Sequence, residues 1–165
     1  MRVLAFDTSL GLPGVAVVEV VRGKPKIVAV GSVKTNSNDT YAARTKHIEA
    51  YMHLFIRNNI GKHGFDAVVR EAYAGKMPNV NYAIFSAWNA CDRALADFNL
   101  AVTEKPIGQA TVKRLVFGKG KAEKEELAEA VRKWTGYTGE FKTADESDAV
   151  AIALAYLIDE GVITK

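Results

Sequence analysis

The stretch that most constrains this chain is a strand-to-helix step near its C-terminus, Ala144-Asp145-Glu146-Ser147-Asp148-Ala149-Val150-Ala151-Ile152-Ala153-Leu154-Ala155-Tyr156-Leu157. Read as a helix, it is almost wholly apolar after its first turns and belongs inside a domain. Asp145 and Asp148, three residues apart, project together from its mouth. Acids in that position complement the helix dipole or hold something positively charged. Thr143 with Glu146 three residues later is also a capping-box pattern. The acids thus have a structural reason of their own, and a functional one requires other carboxylates to converge on them.

A chain of 165 residues matches the size of one domain and can bury roughly two-thirds of the surface its unfolded form exposes. At 48% hydrophobic and 25% charged residues, it has the balance of a soluble globular protein. One cysteine, Cys91, excludes an internal disulfide framework and points to a reducing compartment. Met1-Arg2 runs straight into Val3-Leu4-Ala5-Phe6 and then Asp7, and no run of about 18 apolar residues occurs. The sequence therefore predicts no signal peptide, no membrane association and a cytoplasmic location. A net charge of +3 names no partner, but its distribution is uneven. From Lys105 to Lys124, six basic residues (Lys105, Lys113, Arg114, Lys119, Lys121, Lys124) stand against one acid, Glu123, which makes the segment an anion-binding candidate.

Arg2 to Phe6 reads as a strand that stops at Asp7, where the turn-rich Thr8-Ser9-Leu10-Gly11-Leu12-Pro13-Gly14 begins. Gly14 to Val21 and Lys26 to Val33 are β-branched runs around the turn signal Arg22-Gly23-Lys24-Pro25, which predicts a three-stranded antiparallel meander. A helix capped by Asn38 or Asp39 is expected to reach about Asn59, with Ile48, Tyr51, Met52 and Phe55 on its buried face. His47, His53 and His63 lack the i, i+4 spacing of a helical metal site. Phe65 to Glu71 reads as a fourth strand that also ends in a carboxylate. Returning from a helix, it lies beside the first strand and brings Glu71 next to Asp7.

Beyond it the pattern predicts a helix from Val80 to about Asn99 with the core stripe Ile84, Trp88, Cys91 and Leu95, and a short strand from Leu100 to Thr103. A helix from Ile107 to Phe117 carries Lys113 and Arg114. Gly118-Lys119-Gly120-Lys121 is a basic loop, and Ala122 to Thr135 a helix with Leu127, Ala130, Val131 and Trp134 inward. With no internal repeat, low-complexity tract or linker, residues 1–165 read as one α/β domain: a mixed sheet of three antiparallel strands followed by parallel ones, with helices on both faces.

Asp7, Glu71, Asp145 and Asp148 fall at the ends of the first and fourth strands and at the mouth of the last helix. Singly, each reads as a turn or cap residue. Together they form a cluster of about four negative charges that repels itself unless cations are present. All-oxygen sites suit Mg²⁺ or Mn²⁺ rather than zinc.

Val3-Leu4-Ala5-Phe6-Asp7, Ala67-Val68-Val69-Arg70-Glu71 and Ala144-Asp145-Glu146-Ser147-Asp148-Ala149 resemble, in order, the RuvC family of Holliday junction resolvases within the ribonuclease H and integrase superfamily. Val112-Lys113 and Gly120-Lys121-Ala122-Glu123-Lys124 look like that family's two lysine-bearing segments. The resemblance implies a ribonuclease H-like fold and a metal-dependent endonuclease, usually a homodimer, that cuts paired strands of a four-way DNA junction. It makes Asp7, Glu71, Asp145 and Asp148 the ligands of Mg²⁺, with Mn²⁺ as substitute and two ions per site. Lys124 becomes an active-site lysine, and Lys113, Arg114, Lys119 and Lys121 become contacts to DNA.

Two departures stand out. Bacterial members follow the first aspartate with a Pro-Gly-Ser type turn, absent here. They also place an aromatic wedge three residues after the glutamate, where this chain has Ala74, with Tyr73 one position earlier. Tyr73 or Met77 is a candidate wedge between base steps, and Tyr73 equally a packing residue. Both departures resemble divergent, phage-type members, for which the location is the host-cell cytoplasm.

A ribonuclease H acting on RNA·DNA hybrids would use a similar acidic cluster, and carboxylates alone do not select the substrate. Phe6-Asp7-Thr8-Ser9 also resembles the opening of actin-like nucleotide-binding proteins and of the non-catalytic partner in tRNA threonylcarbamoyl modification. Those folds pair two such domains, and no Gly-x-x-x-x-Gly-Lys-Ser/Thr pattern is present here. A DNA-binding module with a dead site is the remaining alternative, and it predicts junction binding without cleavage.

Overall fold

The computed structural model describes residues 1–73, 75, 77–118 and 124–164, and the side chains of Lys124 and Glu125 lie outside that description. Its elements are β1 (Arg2–Asp7), β2 (Gly14–Val21), β3 (Lys24–Ser32), α1 (Tyr41–Asn59), β4 (Ala67–Arg70), α2 (Pro78–Ala96), α3 (Gln109–Phe117), α4 (Lys124–Thr135) and α5 (Ala144–Asp159). The sheet runs β3-β2-β1-β4, with β1 antiparallel to β2, β2 antiparallel to β3, and β1 parallel to β4. The mixed sheet expected from the sequence is thus present. No helix among the described residues is long and apolar enough to cross a membrane.

Alternation along the strands divides the core in two. Val3 and Ala5 of β1, Ala16 and Val18 of β2, and Ala67 and Val69 of β4 pack with α3, α4 and α5. Leu4, Phe6, Val15, Val17 and Val68 point the other way, onto Ile48, Met52 and Ile56 of α1 and Ala87, Cys91 and Leu95 of α2. Because side chains alternate with period two, every odd position of β1 and β4 faces α5. Both faces are covered, which is why β1 and β4 read as continuous apolar runs. Cys91 is sealed in the α2 layer, where burial, first, pushes its thiol up to about 12.

Several boundaries differ from the sequence reading. The β2–β3 turn contains only Arg22 and Gly23, both at positive φ (51° and 75°), so Val21 already pairs with Lys24. This is the twist a two-residue hairpin prefers, and it draws Pro25 into β3, an edge strand that tolerates a missing donor. Helix α1 is capped by Thr40, whose hydroxyl accepts from the Ala43 N–H at 3.2 Å, rather than by Asn38 or Asp39. Helix α2 starts earlier, with Pro78 in its first turn, and its stripe is Ala87, Ala90, Cys91, Ala94 and Leu95, leaving Ile84 and Trp88 half-buried.

Leu100–Thr103 forms no ladder. Thr103 occupies the place beside Val68: its N–H donates to the Val68 carbonyl at 3.0 Å, while its hydroxyl, in place of a carbonyl, accepts from the Val68 N–H at 2.9 Å. A side chain has replaced the backbone acceptor that would propagate a strand. Sheet pairing resumes only at an isolated bridge between Glu71 and Ile107. Helix α5 is entered from a loop, not from a strand.

Candidate active site

Asp7 and Glu71 reach one place by parity and register. The last β1–β4 pair is Phe6 with Arg70, so Asp7 and Glu71 come next on adjacent parallel strands. Both are odd-numbered positions and share the face of Val3, Ala5, Ala67 and Val69, toward α5. Arg70 takes the opposite face, where its guanidinium lies 4.2 Å from the Trp88 ring centroid and donates to Asp92 at 2.9 Å.

Helix α5 closes the site from above. Its residues from Ala149 to Leu157 are all buried, so its first turn is anchored by a long apolar stem. Asp145 and Asp148 stand on the turn that faces the sheet ends. With Asp7, Glu71, Gln109, Val112, Lys113, Leu127 and Ile152 they line a cavity of about 170 Å³. All four carboxylates singled out in the sequence therefore border one space, together with Lys113.

Their proximity is felt electrostatically. Burial, then the charge of Asp148, hold the Glu71 carboxyl above its ordinary range, and the Lys113 ammonium partly offsets them. The site thus contains the like-charge repulsion expected of such a cluster.

The capping box is only half present. Thr143 is the N-cap, yet its hydroxyl, buried, makes no hydrogen bond among the described residues. Glu146 does reach back, but to the N–H of Lys142 at 2.8 Å, one residue before the cap. Its other oxygen accepts from the Ser32 hydroxyl at 3.0 Å.

The remaining candidates divide. Arg114 is exposed and does not line the cavity. Tyr73 is half-buried and sits edge-on to Phe85 of α2, with centroids 6.4 Å apart, while Met77 is 67% exposed. Lys119, Lys121 and Ala74 lie outside the described residues, as does the Lys124 side chain. Gln109 lines the cavity without any signal in the sequence. It opens α3 and borders the carboxylates, a placement that comes from how α3 packs and leaves no mark in its own sequence neighbourhood.

As the side chains stand, no three His, Cys, Asp or Glu among the described residues are gathered closely enough to hold an ion. The donor set nonetheless fits a hard divalent cation. It supplies four carboxylates, no thiol and no imidazole, and a cavity with room for a few waters at roughly 30 Å³ each. Small rotations of acidic side chains that already repel one another are what such an ion would reward.

Carboxylates from a first strand, a fourth strand and a C-terminal helix, on this sheet, define the class of ribonuclease H-like nucleases. A family model described as Crossover junction endodeoxyribonuclease RuvC matches residues 3–156, and the chain belongs to that family. The RuvC of Rickettsia bellii is 30% identical over 162 residues, which cover 96% of this chain and 98% of that one. The RuvC of Chromobacterium violaceum is 29% identical over 160 residues, covering 97% and 88%. Among solved structures, T. thermophilus RuvC in complex with a Holliday junction substrate superposes with a TM-score of 0.81 at 25% identity, covering 98% of this chain and 97% of that one. The fowlpox virus resolvase bound to a Holliday junction has a TM-score of 0.53 at 14% identity and shares the fold alone.

Proposed function

We propose that this chain is a metal-dependent, structure-selective endodeoxyribonuclease that resolves four-way DNA junctions. The observation that carries the reading is the convergence of Asp7, Glu71, Asp145 and Asp148, from three separate elements, on one cavity that also holds Lys113. These four carboxylates would hold two Mg²⁺ ions, with Mn²⁺ as substitute, and the ions would supply an activated water and a Lewis acid for in-line attack on a phosphodiester. Asp7, on a strand flanked by β2 and β4, would hold metal together with Glu71 and the α5 aspartates. Lys113 offsets carboxylate charge at the cavity wall and so lets a phosphate approach. Lys124 opens α4 and takes the second lysine role by resemblance. Arg114, Lys119 and Lys121 track the DNA backbone, and Tyr73 contacts the opened junction.

Two paired cuts require two such sites, and a homodimer with twofold symmetry supplies them. The surface that supports it is the outer face of α2, where Met77, Tyr82 and Phe85 are 67%, 65% and 50% exposed. Large apolar side chains so bare on one helix end call for a partner.

The deciding experiment incubates the protein and Mg²⁺ with a labelled four-way junction and, separately, with an RNA·DNA hybrid. Paired symmetric cuts in the junction are expected. Cleavage of the hybrid alone overturns the reading, and junction binding without cleavage under Mg²⁺ or Mn²⁺ assigns a DNA-binding module instead.

A further inference from the structure

Among the described residues, the buried polar or charged side chains are Thr8, Thr35, Glu146 and Ser147, and of these only Glu146 carries an acid. At 3% exposure it lies between two ligand carboxylates in sequence, yet it does not border the cavity. A carboxylate so buried is costly unless its oxygens are satisfied, and both are. One bond, from the Lys142 N–H, serves the helix end. The other comes from Ser32 at the far end of β3 and has no capping role.

Ser32 occupies a particular row of the sheet. It pairs with Gly14 on β2, and Gly14 pairs with Asp7 on β1. Glycine is required in the middle of that row, because a Cβ at Gly14 would overlap the Asp145 carbonyl. One row of three residues thus carries the first turn of α5: Ser32 holds Glu146, Gly14 admits the Asp145 backbone, and Asp7 faces the cavity with Asp145 and Asp148.

We propose that Ser32, Gly14 and Glu146 are positioning residues that fix the register of α5 on the sheet and thereby place Asp145 and Asp148 against Asp7. The inference rests on the metal-ligand reading of those aspartates. The apolar stem does not supply this register by itself. Buried Val150, Ile152, Leu154 and Leu157 seat the stem in the core, while the small Ala149, Ala151, Ala153 and Ala155 beside them leave the fine placement of the first turn to directional contacts at its mouth. Each residue of slip turns the helix by about 100° and carries it about 1.5 Å along the axis, enough to remove both aspartates from the cavity. A charge-assisted hydrogen bond at the mouth is directional and prevents that slip.

The test compares wild type, Ser32→Ala and Glu146→Ala. Mn²⁺ binding to DNA-free protein is followed by calorimetry, and junction cleavage is followed at increasing Mn²⁺. Ser32→Ala is expected to weaken Mn²⁺ binding about tenfold or more, within the range typical of partners that orient metal ligands. Cleavage kcat should fall with the junction KM little changed, and raised Mn²⁺ should restore it. If Glu146→Ala does not fold by circular dichroism, Ser32→Ala, which loses only a half-buried hydroxyl, decides alone. Unchanged Mn²⁺ affinity in Ser32→Ala, or a loss of cleavage that Mn²⁺ does not restore, overturns the inference and leaves the nuclease reading intact. Wild type that binds no Mn²⁺ and cuts no junction overturns both.

Discussion

The backbone N–H of Glu71 donates to the carbonyl of Phe6 at 3.2 Å, one step beyond the last regular pair of β1 and β4. That bond carries the parallel pairing to the sheet end, so the side chains of Asp7 and Glu71 leave the same face of neighbouring strands. Asp7 and Glu71 thus border the cavity from the sheet side, and the α5 aspartates border it from the helix side, with Asp148 close enough to act on Glu71.

Asp7→Asn and Asp145→Asn each keep the side-chain volume and remove one negative charge from the cavity. Each is expected to lower junction cleavage by about 10³-fold or more, about 4 kcal/mol of transition-state stabilisation. Thermal stability and junction binding should be retained, because one fewer negative charge lies among the remaining carboxylates. Single-turnover cleavage assays and a gel-shift titration check this, and near wild-type cleavage by either variant is incompatible with the ligand assignment.

Glu71 sets a pH dependence of definite sign. In the metal-free protein its carboxyl is held above the ordinary 4.5, by burial first and by Asp148 second. The native state therefore holds this proton more tightly than the unfolded chain does. The stability it contributes is complete below the unfolded value and is lost as pH rises through the folded one. A bound ion needs the ionised form and works in the opposite direction. The rise in Tm on adding Mn²⁺ should accordingly be larger at pH 7.5 than at pH 5, as differential scanning fluorimetry would show. An equal rise at both values speaks against an ion that competes with the Glu71 proton.

Much of this site is legible in the sequence because parity and periodicity are local. Asp7 and Glu71 each follow an apolar run, and the acids at 145 and 148 share a helix face, so each placement follows from its own segment. What is not legible depends on contacts between distant segments. The Ser32 bond to Glu146 spans 114 positions, and nothing near Ser32 announces it. Gln109 likewise lines the cavity only because α3 packs beside α5. Thr103 misleads for a related reason, since its β-branched neighbourhood reads as strand while its hydroxyl takes the ladder's place. Thr143 and Glu146 show a local motif half overridden, with the glutamate drawn to a partner on the sheet.

The basic segment after α3 should act through phosphate charge. Lys119 and Lys121 follow directly on the helix that brings Lys113 to the cavity. If both contact backbone phosphates, Lys119→Ala with Lys121→Ala weakens junction binding and lowers the slope of log K against log salt by about two, at roughly 0.9 per contact. Fluorescence anisotropy between about 50 and 200 mM salt measures that slope. An unchanged slope moves the DNA surface elsewhere on the chain.

The last prediction concerns α2. Tyr82 stacks on Tyr41 of α1 with ring centroids 5.2 Å apart, and Phe85 meets Trp88 edge-on at 5.4 Å, so the exposed rings are held in place rather than loose. Pre-ordered aromatic side chains lose little entropy on association, which suits an interface core. Tyr82 and Phe85 lie three residues apart on one helical face, and a twofold axis beside that face brings each pair onto its copy. Tyr82→Asp with Phe85→Asp places four carboxylates across such an interface and should convert dimer to monomer in analytical ultracentrifugation, with the circular dichroism spectrum unchanged. The monomer is expected to keep one site per chain, so its Mn²⁺ affinity stays at the wild-type level while paired cutting of the junction gives way to single nicks. A double variant that remains dimeric places the interface on another face.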